Sequence, residues 1–213
     1  MKTFHIITLF PEAVEKYLNS SILGRARKNK ILKFELVNLR DFGLGRHKKV
    51  DDRPFGGGPG MVMQVEPIAA ALQNIESRIK NRGTAKRAKK RVVLFSTRGK
   101  IFTQKEAKRL AKYDHIVFIC GRYEGVDERV AKYVADEELS IGDFVLAGGE
   151  LPALIVTEAV SRQVPGVLGK TESLEDIKGS YPVYTRPPVW KKHKVPKELL
   201  SGNHKEIEKW RKL

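Results

Sequence analysis

Two glycine-rich turns hold the residue types best suited to ligand chemistry. The first, residues 121–125, follows an apolar strand and places an arginine, a tyrosine and a glutamate between two glycines. The second, residues 141–152, begins about twenty residues later and contains a Gly-Gly pair. Open α/β sheets bind ligands at the carboxyl ends of their strands, and glycine lets a backbone approach a ligand closely. The two turns therefore predict a pocket walled largely by backbone.

A third glycine-rich stretch, residues 56–60, ends a long loop that spans residues 40–60. A loop of that length in a compact domain is usually functional or disordered. The stretch lacks the Gly-Lys-Ser/Thr ending of a nucleotide-triphosphate loop. His47 in the same loop has no second histidine, cysteine or acid at metal-ligand spacing. We therefore interpret His47 as a solvated histidine and predict no metal site.

The charge of the chain points to a polyanionic partner. Lysine and arginine total 41 against 25 acids, which gives a net charge of +16. Such an excess favours nucleic acid first and an anionic membrane surface second, with solubility alone as the third interpretation. Basic side chains would contact phosphates, which gives affinity but little sequence information. The richest stretches hold Arg82, Lys86, Arg87, Lys89, Lys90 and Arg91, then Lys191, Lys192, Lys194, Lys197, Lys205, Lys209, Arg211 and Lys212.

The single cysteine and the N-terminus indicate the compartment. Cys120 lies in an apolar run, so we interpret it as a core residue, and one cysteine allows no disulfide within the chain. The N-terminal stretch lacks the length and cleavage site of a signal peptide. No apolar run approaches the length of a membrane span. We expect a cytoplasmic protein without a membrane partner.

Strands alternate with helices along most of the chain, which predicts an α/β fold with a mostly parallel sheet. Predicted strands lie at residues 3–9, 32–36, 61–65, 92–95, 116–120 and near Leu139. Predicted helices start near Pro11, Pro67, Thr103 and Asp127, and a further one spans residues 152–162. Thr103 and Glu106 have the spacing of a capping box. Asn203 is a candidate cap for a last helix.

Six segments of the chain resemble the bacterial tRNA (guanine-N1)-methyltransferase family, which belongs to the SPOUT class of trefoil-knot methyltransferases. They occur in the family's order at residues 6–12, 51–63, 120–129, 140–152, 165–169, and 184–187 with 201–204 and 210–211. The resemblance implies a deep C-terminal trefoil knot within a methyltransferase domain at residues 1–165. A flexible linker at residues 166–180 and a short helical tRNA-binding domain at residues 181–213 would follow. The family usually continues well past the final Trp-Arg pair, so we expect tRNA affinity to rely more on the main domain.

The family resemblance also implies the reaction and its partners. S-adenosylmethionine would donate a methyl group to N1 of the guanine immediately 3′ of the anticodon, tRNA position 37, where another guanine precedes it. The enzyme would be a homodimer with active sites at the subunit interface. A magnesium ion is a further family expectation, although no ligand cluster is visible in the sequence.

Methylation of guanine N1 requires that a proton leave N1 and that the charge growing on O6 be stabilised. A free aspartate has a pKa near ~4, far below that of guanine N1. The base therefore needs a raised pKa or a cation at O6. By resemblance, Asp176 is the general base and Arg162 is the catalytic arginine at O6. The loop after Asp176 is shorter than in the family, so Glu175 and Glu172 remain open as the base.

The resemblance assigns the donor pocket as well. Its residues are Thr97, where the family often has proline, then Gly99, Gly121, Tyr123, Glu124, Ser140, Ile141, Leu146, Gly148, Gly149 and Pro152. Glu124 has an alternative interpretation as a structural partner of Arg122 or Arg129. Gly58, Pro59 and Gly60 would frame the guanine or the donor near the dimer interface.

Two other functions fit parts of the pattern. A ribose 2′-O-methyltransferase of the same fold would need no acidic base on the linker. A non-catalytic RNA-binding protein would bind RNA without saturable donor binding, and it would not need intact glycine turns.

Overall fold

The computed structural model describes residues 1–81, 88–169 and 181–212. The chain divides into two compact units, Met1–Gly169 and Lys170–Leu213. The first domain was predicted to end at residue 165. Val167 is buried in the core of the first unit, so the described residues after 165 pack with that unit.

The first unit alternates strands and helices. In chain order its elements are β1 Lys2–Thr8, α1 Pro11–Leu18, α2 Ser21–Lys28, β2 Leu32–Asn38, a 3-10 helix Leu39–Phe42, β3 Asp51–Asp52, β4 Val62–Met63, α3 Val65–Asn81, β5 Lys90–Ile101, α4 Gln104–Leu110, β6 His115–Ile119, α5 Glu128–Tyr133, β7 Glu137–Ser140 and α6 Glu150–Ser161. Five strands form one sheet in the order β2-β1-β6-β5-β7, and every neighbouring pair is parallel. The predicted α/β class with a mostly parallel sheet is confirmed.

The core has two layers because the sheet is covered on both faces. The central strands β1 and β6 are buried along their whole length, as expected for apolar strands of a parallel sheet. On one face, Phe4 stacks between Phe34 at 5.9 Å and Phe118 at 6.1 Å, and helices α1, α2, α4 and α6 cover them. On the other face, Ile7 and Ile119 pack against α3 and α5. This double cover fixes the carboxyl ends of the strands, where the glycine turns begin.

Several local features differ from the prediction. Helix α2 and the β3–β4 pair were not predicted, and the strand expected at residues 61–65 shortens to two residues because Val65 already begins α3. Helix α6 begins at Glu150, two residues before the predicted start. Strand β5 runs past its predicted end to Ile101, with a shift of register between Phe95 and Lys100.

The predicted capping box of α4 is wrong. Thr103 occupies the N-cap position, but its side chain makes no capping hydrogen bond. Glu106 accepts instead from Lys100 Nζ at 2.7 Å and from Arg109 Nε at 2.6 Å. Two cations thus compete successfully for the carboxylate, because the irregular end of β5 brings Lys100 beside it.

The second unit is a small hairpin followed by two short helices. Its elements are β8 Val189–Trp190, β9 His193–Lys194, α7 Lys197–Leu200 and α8 His204–Arg211. Asn203 Oδ1 accepts a hydrogen bond from the Lys205 amide at 3.1 Å, which confirms the predicted cap. No residue of α7 or α8 is buried, as the small size of the unit leads one to expect.

Within residues 1–81, 88–169 and 181–212, none of the helices combines the length and apolar character that crossing a membrane requires.

Candidate active site

A cavity of about 370 Å³ opens at the carboxyl ends of β5, β6 and β7. Its size falls in the range of small-molecule sites. Ten of the eleven residues predicted for the donor pocket line it: Thr97, Gly121, Tyr123, Glu124, Ser140, Ile141, Leu146, Gly148, Gly149 and Pro152. The structure therefore brings together residues from three separate turns at one edge of the sheet.

Gly99 is the predicted pocket residue that does not line the cavity. A Cβ atom on Gly99 would lie 2.6 Å from the backbone N and C atoms of Leu139. Gly99 thus lets the irregular part of β5 pack against the backbone of β7, and its neighbour Arg98 faces the cavity instead. The sequence signal could not separate the two positions, because the register shift of β5 decides which one faces inward.

The two glycine turns meet backbone to backbone. The Gly149 amide donates to the Gly121 carbonyl at 3.0 Å. A Cβ atom on Gly149 would lie 2.6 Å from Cys120 Cα and 3.1 Å from Gly121 N. A side chain at position 149 would therefore push the two walls of the cavity apart.

A buried ion pair holds the same two turns together. Arg122 Nε lies 3.0 Å from Glu150 Oε2, and Thr8 Oγ1 donates to Glu150 Oε1 at 2.6 Å. The guanidinium carbon of Arg122 also lies 4.5 Å from the ring centroid of Phe10. Arg122 thus bridges the turn after β6, the start of α6 and the end of β1.

Glu124 belongs to the cavity rather than to a salt bridge with a neighbouring arginine. Arg122 pairs with Glu150, and Arg129 NH2 lies 2.7 Å from Asp127 Oδ2, so the alternative interpretation of Glu124 is wrong. The Glu124 amide donates to the Met61 carbonyl at 3.0 Å. A Cβ atom on Gly60 would lie 2.4 Å from Glu124 Cγ.

These contacts tie the residue 56–60 loop to the cavity wall through Gly60. Gly58 and Pro59 do not line the cavity themselves. Gly58 has φ +120° and Gly60 has φ +73°, a backbone region that favours glycine. The loop therefore stands beside the donor pocket, while its predicted contact with substrate stays a prediction.

Tyr123 has a strained backbone and lies on the cavity wall. Its φ of +60° is uncommon for a residue with a side chain, and such strain clusters at functional sites. Burial, and then the charge of Asp51, raise the pKa of the Tyr123 hydroxyl above its usual value. The hydroxyl therefore feels the charge of a residue in the long loop.

The predicted catalytic arginine does not line the cavity. Arg162 is the C-cap residue of α6, partly buried, and its amide donates to the Glu158 carbonyl at 3.1 Å. The 12-residue helix α6 is about 18 Å long, so Arg162 stands well away from Gly149 at the other end. Asp176, Glu175 and Glu172 lie outside the described residues.

Sequence analysis missed several cavity residues. Phe144 and Val145 form an exposed apolar rim, 54% and 83% exposed respectively. Arg98 NH2 lies 2.6 Å from Glu128 Oε2 and 3.8 Å from Glu138 Oε1, and all three residues line the cavity. The apolar rim could have been predicted from the sequence, because an apolar pair lies inside a glycine-rich run. The ion pairs could not, because they depend on contacts between distant segments.

The single cysteine lies where the sequence predicted. Cys120 is fully buried, which confirms its interpretation as a core residue, and burial raises the pKa of its thiol well above the usual value. In the region described from residue 88 to 169, no group of three or more His, Cys, Asp or Glu side chains is placed to hold a metal ion, and the same holds for 1–81 and 181–212.

Part of the predicted basic surface is already engaged. Lys90 pairs with Glu76, and Arg91 Nε lies 2.8 Å from Glu137 Oε1. These two side chains are therefore less available to phosphates than the composition suggested. Arg82, Lys86 and Arg87 lie outside the described residues.

Comparison with known proteins gives one consistent family. The family model described as "tRNA (Guanine-1)-methyltransferase TrmD" matches residues 1–213. A protein of Ruminiclostridium cellulolyticum is 46% identical over 213 residues, covering 98% of this chain and 88% of the relative. Proteins of Mycoplasmopsis synoviae and Geobacter metallireducens are 49% and 48% identical, covering 97% and 98% of this chain and 88% and 84% of their own lengths. All three relatives are named tRNA (guanine-N(1)-)-methyltransferase.

Proposed function

This chain belongs to the tRNA (guanine-1)-methyltransferase family, an enzyme family, and we propose that it methylates N1 of the guanine immediately 3′ of the tRNA anticodon, position 37. S-adenosylmethionine is the methyl donor that membership implies. The observation that carries the proposal is the cavity between two glycine turns held together backbone to backbone, in a chain that matches the family along its whole length.

The cavity suits a nucleoside-like donor with an amino-acid end. When bound, S-adenosylmethionine supplies an electrophilic methyl group on a sulfonium. Ile141, Leu146 and Pro152 offer apolar surface to a ring, and the backbone groups of the glycine turns offer hydrogen bonds to its edge. The absence of a side chain at Gly149 lets the two turns approach each other and keeps the cavity in shape.

A carboxylate of the linker accepts the proton from N1, and the C-cap residue of α6 stabilises the charge on O6. A carboxylate, Asp176 or else Glu175 or Glu172, accepts the proton from N1. Arg162 neutralises the negative charge that grows on O6, which makes N1 more acidic and allows a weak base to act. A carboxyl of ordinary pKa, near ~4, would not suffice without that cation.

The position of Arg162 supports a homodimer with composite active sites. Arg162 stands about 18 Å along α6 from the Gly149 wall, so a second subunit is the natural source of an arginine for each cavity. Leu151 and Ile155, one turn apart on α6, are 58% and 49% exposed, which fits burial against a second copy.

The deep trefoil knot is also part of the proposal. Its support is the close backbone contact of Gly149 with residues 120–121 and of Gly99 with Leu139, which three interwoven segments would require. A cytoplasmic location and a magnesium requirement are further family-based expectations. Since the described residues offer magnesium no ligand group, we derive no step through it.

A methyl-transfer assay with two tRNA transcripts tests the function. One transcript has guanine 3′ of the anticodon with a guanine before it, and the other has adenine at the target. The wild type is expected to transfer the methyl group to the guanine transcript alone. Transfer should be lost in Asp176→Ala and kept in Glu175→Ala and Glu172→Ala. Loss in either glutamate variant instead would move the base to that residue. Equal transfer to both transcripts would favour ribose methylation, and donor-independent RNA binding without transfer would favour a non-catalytic protein.

A further inference from the structure

A tryptophan stands exposed at the tip of the hairpin in the second unit. Trp190 is 61% exposed, ends β8 and pairs across the hairpin with His193. Tryptophan is a large apolar side chain that is highly buried on average. At the hairpin tip its ring is available to contact another molecule through an apolar face.

The ring of Trp190 is arranged as a flat platform. The His193 ring lies 5.9 Å away at an interplanar angle of 26°, a stacked arrangement. The Lys191 ammonium lies 5.0 Å from the Trp190 ring centroid. Lys191 has a left-handed backbone, φ +55°, which turns the chain at the tip of the hairpin.

The other tryptophan has a different role. Trp210 meets Tyr184 edge to face at 5.8 Å and is partly buried, so it packs inside the unit. Trp210 therefore serves as an internal comparison for Trp190, because both lie in the same unit and only one is presented to solvent.

The charge around the hairpin favours a nucleic acid over a protein. Residues 186–197 contain five lysines and arginines and no acid. Lys191, Lys192 and Lys194 are all exposed. Protein interfaces are depleted in lysine, whereas an aromatic ring among cations suits an unpaired base with its flanking phosphates.

We propose that an unpaired base of the tRNA displaces the Lys191 ammonium from the Trp190 ring and stacks there, while Lys191 and Lys192 contact the neighbouring phosphates. The inference rests on the proposed function, since it takes tRNA as the substrate. Stacking on an aromatic side chain tolerates any base, so Trp190 contributes affinity and positioning rather than sequence choice.

Fluorescence of the full-length protein tests the contact directly. In a Trp210→Phe variant, Trp190 is the single tryptophan. Titration with an RNA stem-loop that carries the anticodon loop is expected to quench its emission. A blunt RNA duplex of equal length is expected to leave the emission nearly unchanged, because its bases are already stacked.

Affinity and its salt dependence separate stacking from charge. Trp190→Ala is expected to weaken stem-loop binding about 5- to 150-fold without changing the slope of log K against log salt. Lys191→Ala and Lys192→Ala are each expected to reduce that slope by about 0.7 to 0.9. Trp210→Phe is the matched control and should keep wild-type affinity.

Three outcomes would overturn the proposal: unchanged stem-loop affinity in Trp190→Ala, an equal loss on the duplex, or altered self-association of Trp190→Ala without RNA. The last would assign Trp190 to a protein contact. The binding assays contain no donor, so their result stands apart from the proposed function. Absence of methyl transfer by a wild-type protein that binds through Trp190 would reject the enzyme function and leave the stacking contact in place.

Discussion

The Nε atom of Arg122 lies 3.0 Å from Oε2 of Glu150, and this ion pair joins the two glycine turns that wall the cavity. The two atoms are close enough to pair, although the N–H direction is not aligned for a hydrogen bond. Glu150 is almost fully buried, and the Arg122 side chain is 25% exposed. Because Thr8 binds the other carboxylate oxygen, one side chain at the start of α6 anchors both a strand end and a turn.

Removal of the carboxylate should destabilise the fold measurably. Glu150→Ala leaves the Arg122 cation partly buried without its counter-charge and removes the partner of Thr8. Breaking a buried pair costs several kcal/mol, and the partial exposure of Arg122 reduces that cost, so we expect a loss of about 2 kcal/mol in the free energy of unfolding. Urea denaturation followed by circular dichroism measures it.

Glu128→Ala is the control for that experiment. Glu128 pairs with Arg98 at 2.6 Å, but the two side chains are 47% and 66% exposed. Exposed ion pairs contribute little because water screens them, so the loss should be clearly smaller than in Glu150→Ala. Equal losses in the two variants would contradict the structural role assigned to Glu150.

Substitution of Gly149 should damage donor binding. In Gly149→Ala the new Cβ atom would lie 2.6 Å from Cys120 Cα, so the backbone of one turn must move. We expect donor affinity, measured by isothermal titration calorimetry, to fall more than about tenfold, equal to ~1.4 kcal/mol. Gly169→Ala is the matched control, since a Cβ atom there meets nothing within 4 Å. Wild-type donor affinity in Gly149→Ala would show that the glycine turns do not wall the donor site.

Acid should lower the free energy of unfolding, and protonation of Glu35 should account for part of the loss. His5, whose Nδ1 lies 3.1 Å from Glu35 Oε2, lowers the pKa of Glu35 well below its usual range, with Lys33 adding to the effect and burial opposing it. The folded-state pKa therefore lies below the unfolded value of ~4.3. A depressed carboxyl pKa stabilises the fold above the unfolded pKa, and the stabilisation is lost as the pH falls.

Urea unfolding of wild type and Glu35→Gln between pH 7 and pH 3 checks this expectation. The wild type should be the more stable protein at pH 7. The difference between the two should shrink from about pH 5 downward, as Glu35 in the unfolded chain takes up a proton. Parallel stability curves across this range would contradict the assignment.

The exposed apolar face of α6 predicts self-association. Ile155→Glu places a charge where we expect a second copy to pack, and it should convert a dimer to a monomer in sedimentation velocity experiments. If each cavity takes Arg162 from its partner, loss of the dimer should also reduce methyl transfer. Tyr133→Glu, which changes an 80% exposed residue on α5, should leave the dimer intact. A monomeric wild type would contradict the composite active site.

The presence of a pocket between the glycine turns was predictable because its signals are local. An apolar strand followed at once by a glycine turn indicates both the strand end and the close backbone approach. The resemblance to the family assigned the individual residues, and ten of them line the cavity. The position of Gly99 outside the cavity was not predictable, because the register shift of β5 is set by the contact of Gly99 with Leu139. The Arg122–Glu150 ion pair was not predicted either, because only the tertiary fold brings these two positions together.

Two helix caps show a limit of local patterns. The cap at Asn203 formed as predicted because the bond joins residues only two positions apart. The capping box at Thr103 failed because Lys100 and Arg109, both within six residues, bind the Glu106 carboxylate instead. A capping pattern thus predicts a helix terminus well until nearby cations compete for the same side chain.

The most direct test of the central claim is the chemical position of the transferred methyl group. Purified protein would be incubated with S-adenosylmethionine and the guanine transcript, and the tRNA would be digested to nucleosides for tandem mass spectrometry. Methylation of N1 predicts a methylated guanosine whose extra mass stays with the base fragment and whose retention matches 1-methylguanosine. Extra mass on the ribose fragment, or unmodified guanosine from a protein that binds both substrates, would contradict the account.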